Sequence, residues 1–167
     1  MSKTRTRRPE TTLATRFRLS LTWETELDAE PPPLTSAPKV VRFLWQNFFR
    51  DEPREVGVLL FANIHNQGIG HLIHSIGASN RLMIDMRLLL SAALLANATG
   101  IIFAHNHPSG STKAGPEDVE FMVQLARGSR AVGLHVIDYL IVASARRWYS
   151  FREPLNELER LQPRRQD

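Results

Sequence analysis

The sequence contains no cysteine. That excludes a disulfide framework and every thiolate metal site, so any metal must be held by histidine and carboxylate groups. An apolar run fit for a membrane is also missing. The longest candidate, residues 88–104, is interrupted by Ser91, Asn97, Thr99 and Gly100 and reads as a buried helix running into a buried strand. No secretory signal is visible, because the polar, basic start has no apolar stretch behind its charges. These absences fit a cytoplasmic protein with no membrane partner, which is the expectation. Internal repeats are absent as well. At 167 residues and 43% apolar composition, the chain has enough material for one domain with a core and too little for two.

What charge there is sits mostly at one end. Lys3, Arg5, Arg7, Arg8, Arg16 and Arg18 against Glu10 give the first 18 residues +5, leaving about −1 for the rest of the chain's +4. Such a tail reads first as a solvated, disordered end, and second as a weak, non-specific contact with DNA phosphates. Phe17, Leu19, Leu21 and Trp23 alternate as a short edge strand does. Pro31-Pro32-Pro33 then forms a stiff linker. Residues 1–35 are therefore assigned to tail and linker, 36–155 to the domain, and 156–167 to a polar C-terminal tail.

Within the domain, 39–49 has helical spacing, 55–63 suits a buried strand, and 71–79 suits a second. Residues 85–97 read as a helix with Asp85 as N-cap and Met86, Leu89, Leu90, Ala93 and Leu94 on one face. Gly100 to Ala104 is a short buried strand. The stretch 116–132 begins like a helix, with Pro116 at its start and Glu117 and Asp118 in its first turn. Residues 135–143 and 148–151 are further strands. Strands alternating with helices indicate an α/β layered domain.

The chemistry concentrates at Phe103-Ala104-His105-Asn106-His107-Pro108-Ser109-Gly110. Positions i and i+2 at a strand end project to the same side, so His105 and His107 project together. The pair alone is compatible with two surface polar groups or with half a metal site. A catalytic zinc site uses three protein ligands and one open position. Asp118, eleven residues after His107 in the first turn of the next helix, is the best candidate for the third. His65, His71, His74 and His135 read as satisfied or exposed side chains. Gly68-x-Gly70 reads as a hairpin-like turn and not a nucleotide loop. Trp23, Trp45 and Trp148 read as core or edge packing.

The string from His105 to Gly110, followed by Glu117-Asp118, resembles the signature of the JAB/MPN metalloproteases, and the Asn and Pro-Ser-Gly resemble their RadC group. Asp85-Met86-Arg87, Ala93 to Asn97, Gly100 to Ala104 and Ile137 to Ile141 extend the likeness, which spans about residues 39–152. It leaves out the N-terminal helical DNA-binding segment of longer RadC proteins, so the chain resembles a minimal or mobile-element version. The resemblance implies a single JAB/MPN domain, a mixed β-sheet flanked by helices in a cytidine-deaminase-like, three-layer arrangement. It further implies a zinc ion on His105, His107 and Asp118, polarising a water whose pKa such an ion lowers from 15.7 to roughly 7. Glu55, just before the first buried strand, fits the family's glutamate, the base that takes the water's proton and returns it to the leaving amine. A protein or peptide is the implied substrate. Nickel or cobalt suits the same donor set.

Two positions depart from the family pattern. Gly115 stands where the family has a serine that steadies the oxyanion, and losing one such donor costs about 3 to 4 kcal/mol where tested. Ser111 and Thr112 are the nearby substitutes. Tyr139 stands where RadC proteins usually have histidine. The leading expectation is a zinc-dependent amide hydrolase. The alternatives are a DNA-associated accessory protein linked to repair or mobile elements, and a catalytically weak zinc-binding scaffold.

Overall fold

Strand β1 (Val56–Ala62) and strand β3 (Gly100–Asn106) are buried at every position, as expected of strands covered on both faces. They form the middle of a five-stranded mixed sheet in the order β2-β1-β3-β4-β5, with β2 at Gly68–Ser75, β4 at His135–Ser144 and β5 at Arg147–Ser150. The computed structural model describes residues 33–75 and 85–161. The expected edge strand at 17–23, the disordered tail, Trp23, most of the proline linker and residues 76–79 of the second expected strand lie outside these.

Side chains alternate across the sheet and so build two cores. Leu59, Phe61, Ile101, Phe103, Tyr139 and Ile141 face helices α2 (Met86–Leu95), α3 (Pro116–Ala131) and α4 (Arg152–Leu161). Val58, Leu60, Ile102, Ala104, Leu140 and Val142 face helix α1 (Ala37–Leu44) and the π-helical turn Trp45–Phe49 that continues it. Helices on both faces of a mixed sheet make this the expected α/β class, with three layers. Among the described residues only the β3–β4 pair is parallel, and α3 is the crossover between its strands. The other pairs are antiparallel.

Local rules account for much of this. Asp85 caps α2 by accepting from the amides of Arg87 and Leu88. Of the apolar face expected on that helix, Leu89 and Ala93 are buried, whereas Leu94 is exposed. The hairpin turn between β1 and β2 falls at residues 63–67, with Asn66 at φ 56°, so Gly68 and Gly70 belong to β2 and not to the turn. Asn takes this left-handed conformation more readily than most residues. Leu34 is fully buried and donates its amide to Asn66 O, which ties the end of the linker into the second core. Residues 156–161, read from sequence as tail, complete α4, and Leu155 seals it against the sheet. No helix among the described residues is long and apolar enough to cross a membrane.

Candidate metal centre

Antiparallel pairing places the start of β1 beside the end of β3, with Gly57 directly opposite His105. Glu55, one residue ahead of β1, thereby comes to His105, and the loop from β3 into α3 returns Asp118 to the same place. His105 is completely buried at the end of β3, and Asp118 is nearly so.

The rings of His105 and His107 converge, with their Nε2 atoms 2.8 Å apart. Glu55 Oε1 lies 3.7 Å from His105 Nε2, and Asp118 Oδ1 lies 3.2 Å from it. Glu55, His105 and His107 each offer one ligand atom, all within 4.8 Å of one another, so this group can hold a metal ion. Asp118 stands against His105 beside that group and is engaged at both oxygens. Oδ2 accepts the Gly115 amide at 2.7 Å, and Oδ1 accepts the Tyr139 hydroxyl at 3.1 Å.

The tautomer of His107 follows from its partner. Nδ1 lies 3.0 Å from the Ser111 carbonyl, which can only accept, so Nδ1 carries the proton and Nε2 presents a lone pair. Burial, reinforced by neighbouring His105, lowers the His107 pKa despite the nearby Asp118 and Glu55 carboxylates. The ring is neutral near neutral pH, the form that binds metals. Burial raises the pKa of Asp118, but hydrogen bonds from His105, Gly115 and Tyr139 outweigh it and hold the carboxyl at about 2. Burial and the adjacent Asp118 charge push the Tyr139 phenol far up, so it stays a donor.

The imidazole nitrogens of His105 and His107 and the Glu55 carboxylate, with Asp118 beside them and no thiolate, are a donor set that suits a divalent metal ion. His105 Nδ1 is buried without a hydrogen-bond partner. His105 Nε2 faces His107 and both carboxylates, so the polar contacts this buried ring does make all lie inside the donor cluster.

Ser111, one of the two nearby substitutes for an oxyanion donor, is engaged within its own loop. The Ser111 carbonyl accepts from His107 Nδ1, and its hydroxyl oxygen accepts from the Lys113 amide. Two further residues shape the site that motif reading left aside. Asn106, between the histidines, binds the backbone around Glu55, and Tyr139 binds Asp118. Strand alternation is the sequence feature that turns Asn106 to the side opposite His105. Tyr139 carries no local sequence mark beyond its departure from a family pattern. Trp45 and Trp148 pack against the second core, as expected.

Comparison with known proteins gives a model described as the RadC-like JAB domain, matching residues 34–158. The chain is 32% identical over 128 residues to a UPF0758 protein of Thermotoga maritima, covering 77% of this chain and 56% of that one. A UPF0758 protein of Methanosarcina mazei is 29% identical over 134 residues, covering 80% of this chain and 58% of the relative. A third, from Streptococcus suis, is 40% identical over 96 residues, covering 58% and 39%. The chain thus spans little more than half the length of the first relatives it matches.

Proposed function

Because this chain belongs to the RadC-like JAB domain family, we propose that it is a zinc-dependent amide hydrolase, a metalloprotease or isopeptidase, with His105, His107 and Asp118 holding the ion. The observation that carries this reading is the convergence of the two Nε2 atoms, with Asp118 and Glu55 on either hand. When bound, zinc supplies Lewis acidity toward a water and toward an amide carbonyl.

The chain's own groups do the rest. His107 enters as the neutral ligand because the Ser111 carbonyl holds its other nitrogen protonated. Asp118 stays ionised over the whole physiological range. Glu55, half-buried at the open side of the cluster, takes a proton from the attacking water and delivers it to the departing amine nitrogen. Its partial exposure matters, since a base that exchanges protons with substrate must be reachable, whereas the fully enclosed His105 needs only to hold the ion.

The test begins with metal content, measured by elemental mass spectrometry on protein purified without a histidine tag. About one zinc per chain is expected, lost in His107→Ala and Asp118→Ala. Glu55→Gln is expected to keep zinc and lose cleavage of peptide or isopeptide bonds. A Glu55→Gln protein without zinc would instead make Glu55 a ligand. Wild-type protein that takes up no zinc even when it is supplied would overturn the hydrolase reading.

A further inference from the structure

Tyr139 lies fully buried on β4, and its ring is the hub of an aromatic cluster. It stacks on His105 at 5.5 Å between ring centroids and on Phe151 at 4.8 Å. Phe103 and Phe121 close the cluster at 5.7 and 5.8 Å. The phenol sends its one polar atom to Asp118 Oδ1. One side chain thus touches two of the groups assigned to the metal, His105 through its face and Asp118 through its hydroxyl.

This matters most for Asp118, because the terminal torsion of an aspartate is broad when nothing fixes it. Here Gly115 N takes Oδ2 and Tyr139 takes Oδ1, which sets the carboxylate plane and leaves Oδ1 as the oxygen facing His105 Nε2. Four rings pack around the fully buried phenol and hold it in place beside the carboxylate.

We propose that Tyr139 is a positioning residue for the metal site: it locks Asp118 so that one defined oxygen faces the histidine pair, and it fixes the plane of His105 by stacking. The proposal rests on the reading of the site as a zinc site. The two can fail separately, because wild-type zinc binding tests the site and the variants test Tyr139.

Tyr139→Phe removes one oxygen and keeps the ring, the stacking and nearly all the volume. Zinc affinity, measured by competition with a chromophoric chelator, is expected to fall roughly 10- to 100-fold, as partners of metal ligands typically give. Phe121→Leu disturbs the same cluster without touching Asp118 and is expected to change the affinity by less than about threefold. Thermal melts of the metal-free proteins report any general loss of packing. The visible absorption of the cobalt-loaded protein should change in Tyr139→Phe and not in Phe121→Leu, since it reports the arrangement of donors and not the stability of the core.

A measurement on the wild type covers the case in which a variant fails to fold. The sequence has two tyrosines, so protein labelled with carbon-13 at tyrosine Cζ gives two signals. Zinc is expected to move that of Tyr139, whose acceptor becomes a ligand, and to leave the half-exposed Tyr149 unmoved. Unchanged zinc affinity in Tyr139→Phe, an equal loss in Phe121→Leu, or a Tyr139 signal indifferent to zinc overturns the proposal. Wild-type protein that binds no zinc removes the site itself.

Discussion

Asn106 holds the backbone on both sides of Glu55, and its closest bond is to Val56, whose amide it accepts at Oδ1 at 2.7 Å. Its Nδ2 donates to Arg54 O at 2.9 Å and to Glu52 O at 3.4 Å. The residue between the two histidines therefore sets where the glutamate stands. Asn106→Ala leaves a buried amide and carbonyl unpartnered, a loss of about 1 to 3 kcal/mol. The expected outcome is a protein less stable in urea by that amount that still binds zinc through its histidines. Unchanged stability would mean that the three hydrogen bonds are replaced by water.

Gly57 faces His105 across the β1–β3 ladder, and a Cβ there would come within 2.7 Å of Phe103 Cζ. Phe103 is fully buried and packs against His105, Phe121 and Tyr139. Gly57→Ala is expected to cost about 1 to 3 kcal/mol by overpacking, read as a lower urea midpoint. A neutral result would show that the aromatic cluster yields more easily than its packing indicates.

Gly115 behaves differently. Its backbone is extended, at φ −82° and ψ 169°, and the nearest atom to an added Cβ is Asp118 Oδ2 at 3.5 Å. A serine fits, and at the N-cap of α3 it is worth a few tenths of a kcal/mol over glycine. Gly115→Ser should melt slightly higher and hold the same amount of zinc. Once a cleaved substrate is found, it should also turn over faster, since the family's oxyanion donor is restored. A drop in metal content would mean that the new hydroxyl competes for Asp118.

Acid should weaken the metal-free fold through Asp118. Its carboxyl titrates at about 2 when folded and at 3.8 when free. A depressed carboxyl stabilises the fold fully above the free value, and that contribution disappears as pH falls through the folded one. The gap corresponds to about 2 kcal/mol. The difference in unfolding free energy between wild type and Asp118→Asn should be steady above about pH 4 and shrink steadily toward pH 2. A difference independent of pH would assign the effect to packing and not to charge.

Much of this architecture was legible in the sequence because burial and capping leave local marks. The unbroken apolar runs of β1 and β3, the Asp85 cap, and Pro116 with two acids at the head of α3 all appear where periodicity and end signals put them. The histidine pair was legible for the same reason, since two-residue spacing on a strand dictates a shared side. What escaped depends on contacts between distant segments. Asn106 and Val56 are 50 positions apart, and Tyr139 and Asp118 are 21 apart. No window of sequence contains either pair. The extent of α4 escaped for a related reason: its polar composition hides an apolar stripe, Leu155 and Leu158, that only the neighbouring sheet makes useful.

The sheet order has one last consequence. Glu55 precedes β1, His105 lies near the end of the β3 ladder, and Tyr139, which holds Asp118, lies on β4, so the cluster and its support come together only when the three middle strands pair. An ion that binds the native chain in preference to the unfolded one adds about 2.7 kcal/mol to stability at a hundred times its dissociation constant. Zinc should accordingly raise the melting temperature of the wild type and leave that of His107→Ala where it was. A chain with one central strand out of register does not bring the residues of the cluster together, so the cluster is a property of the paired sheet and not of any one segment.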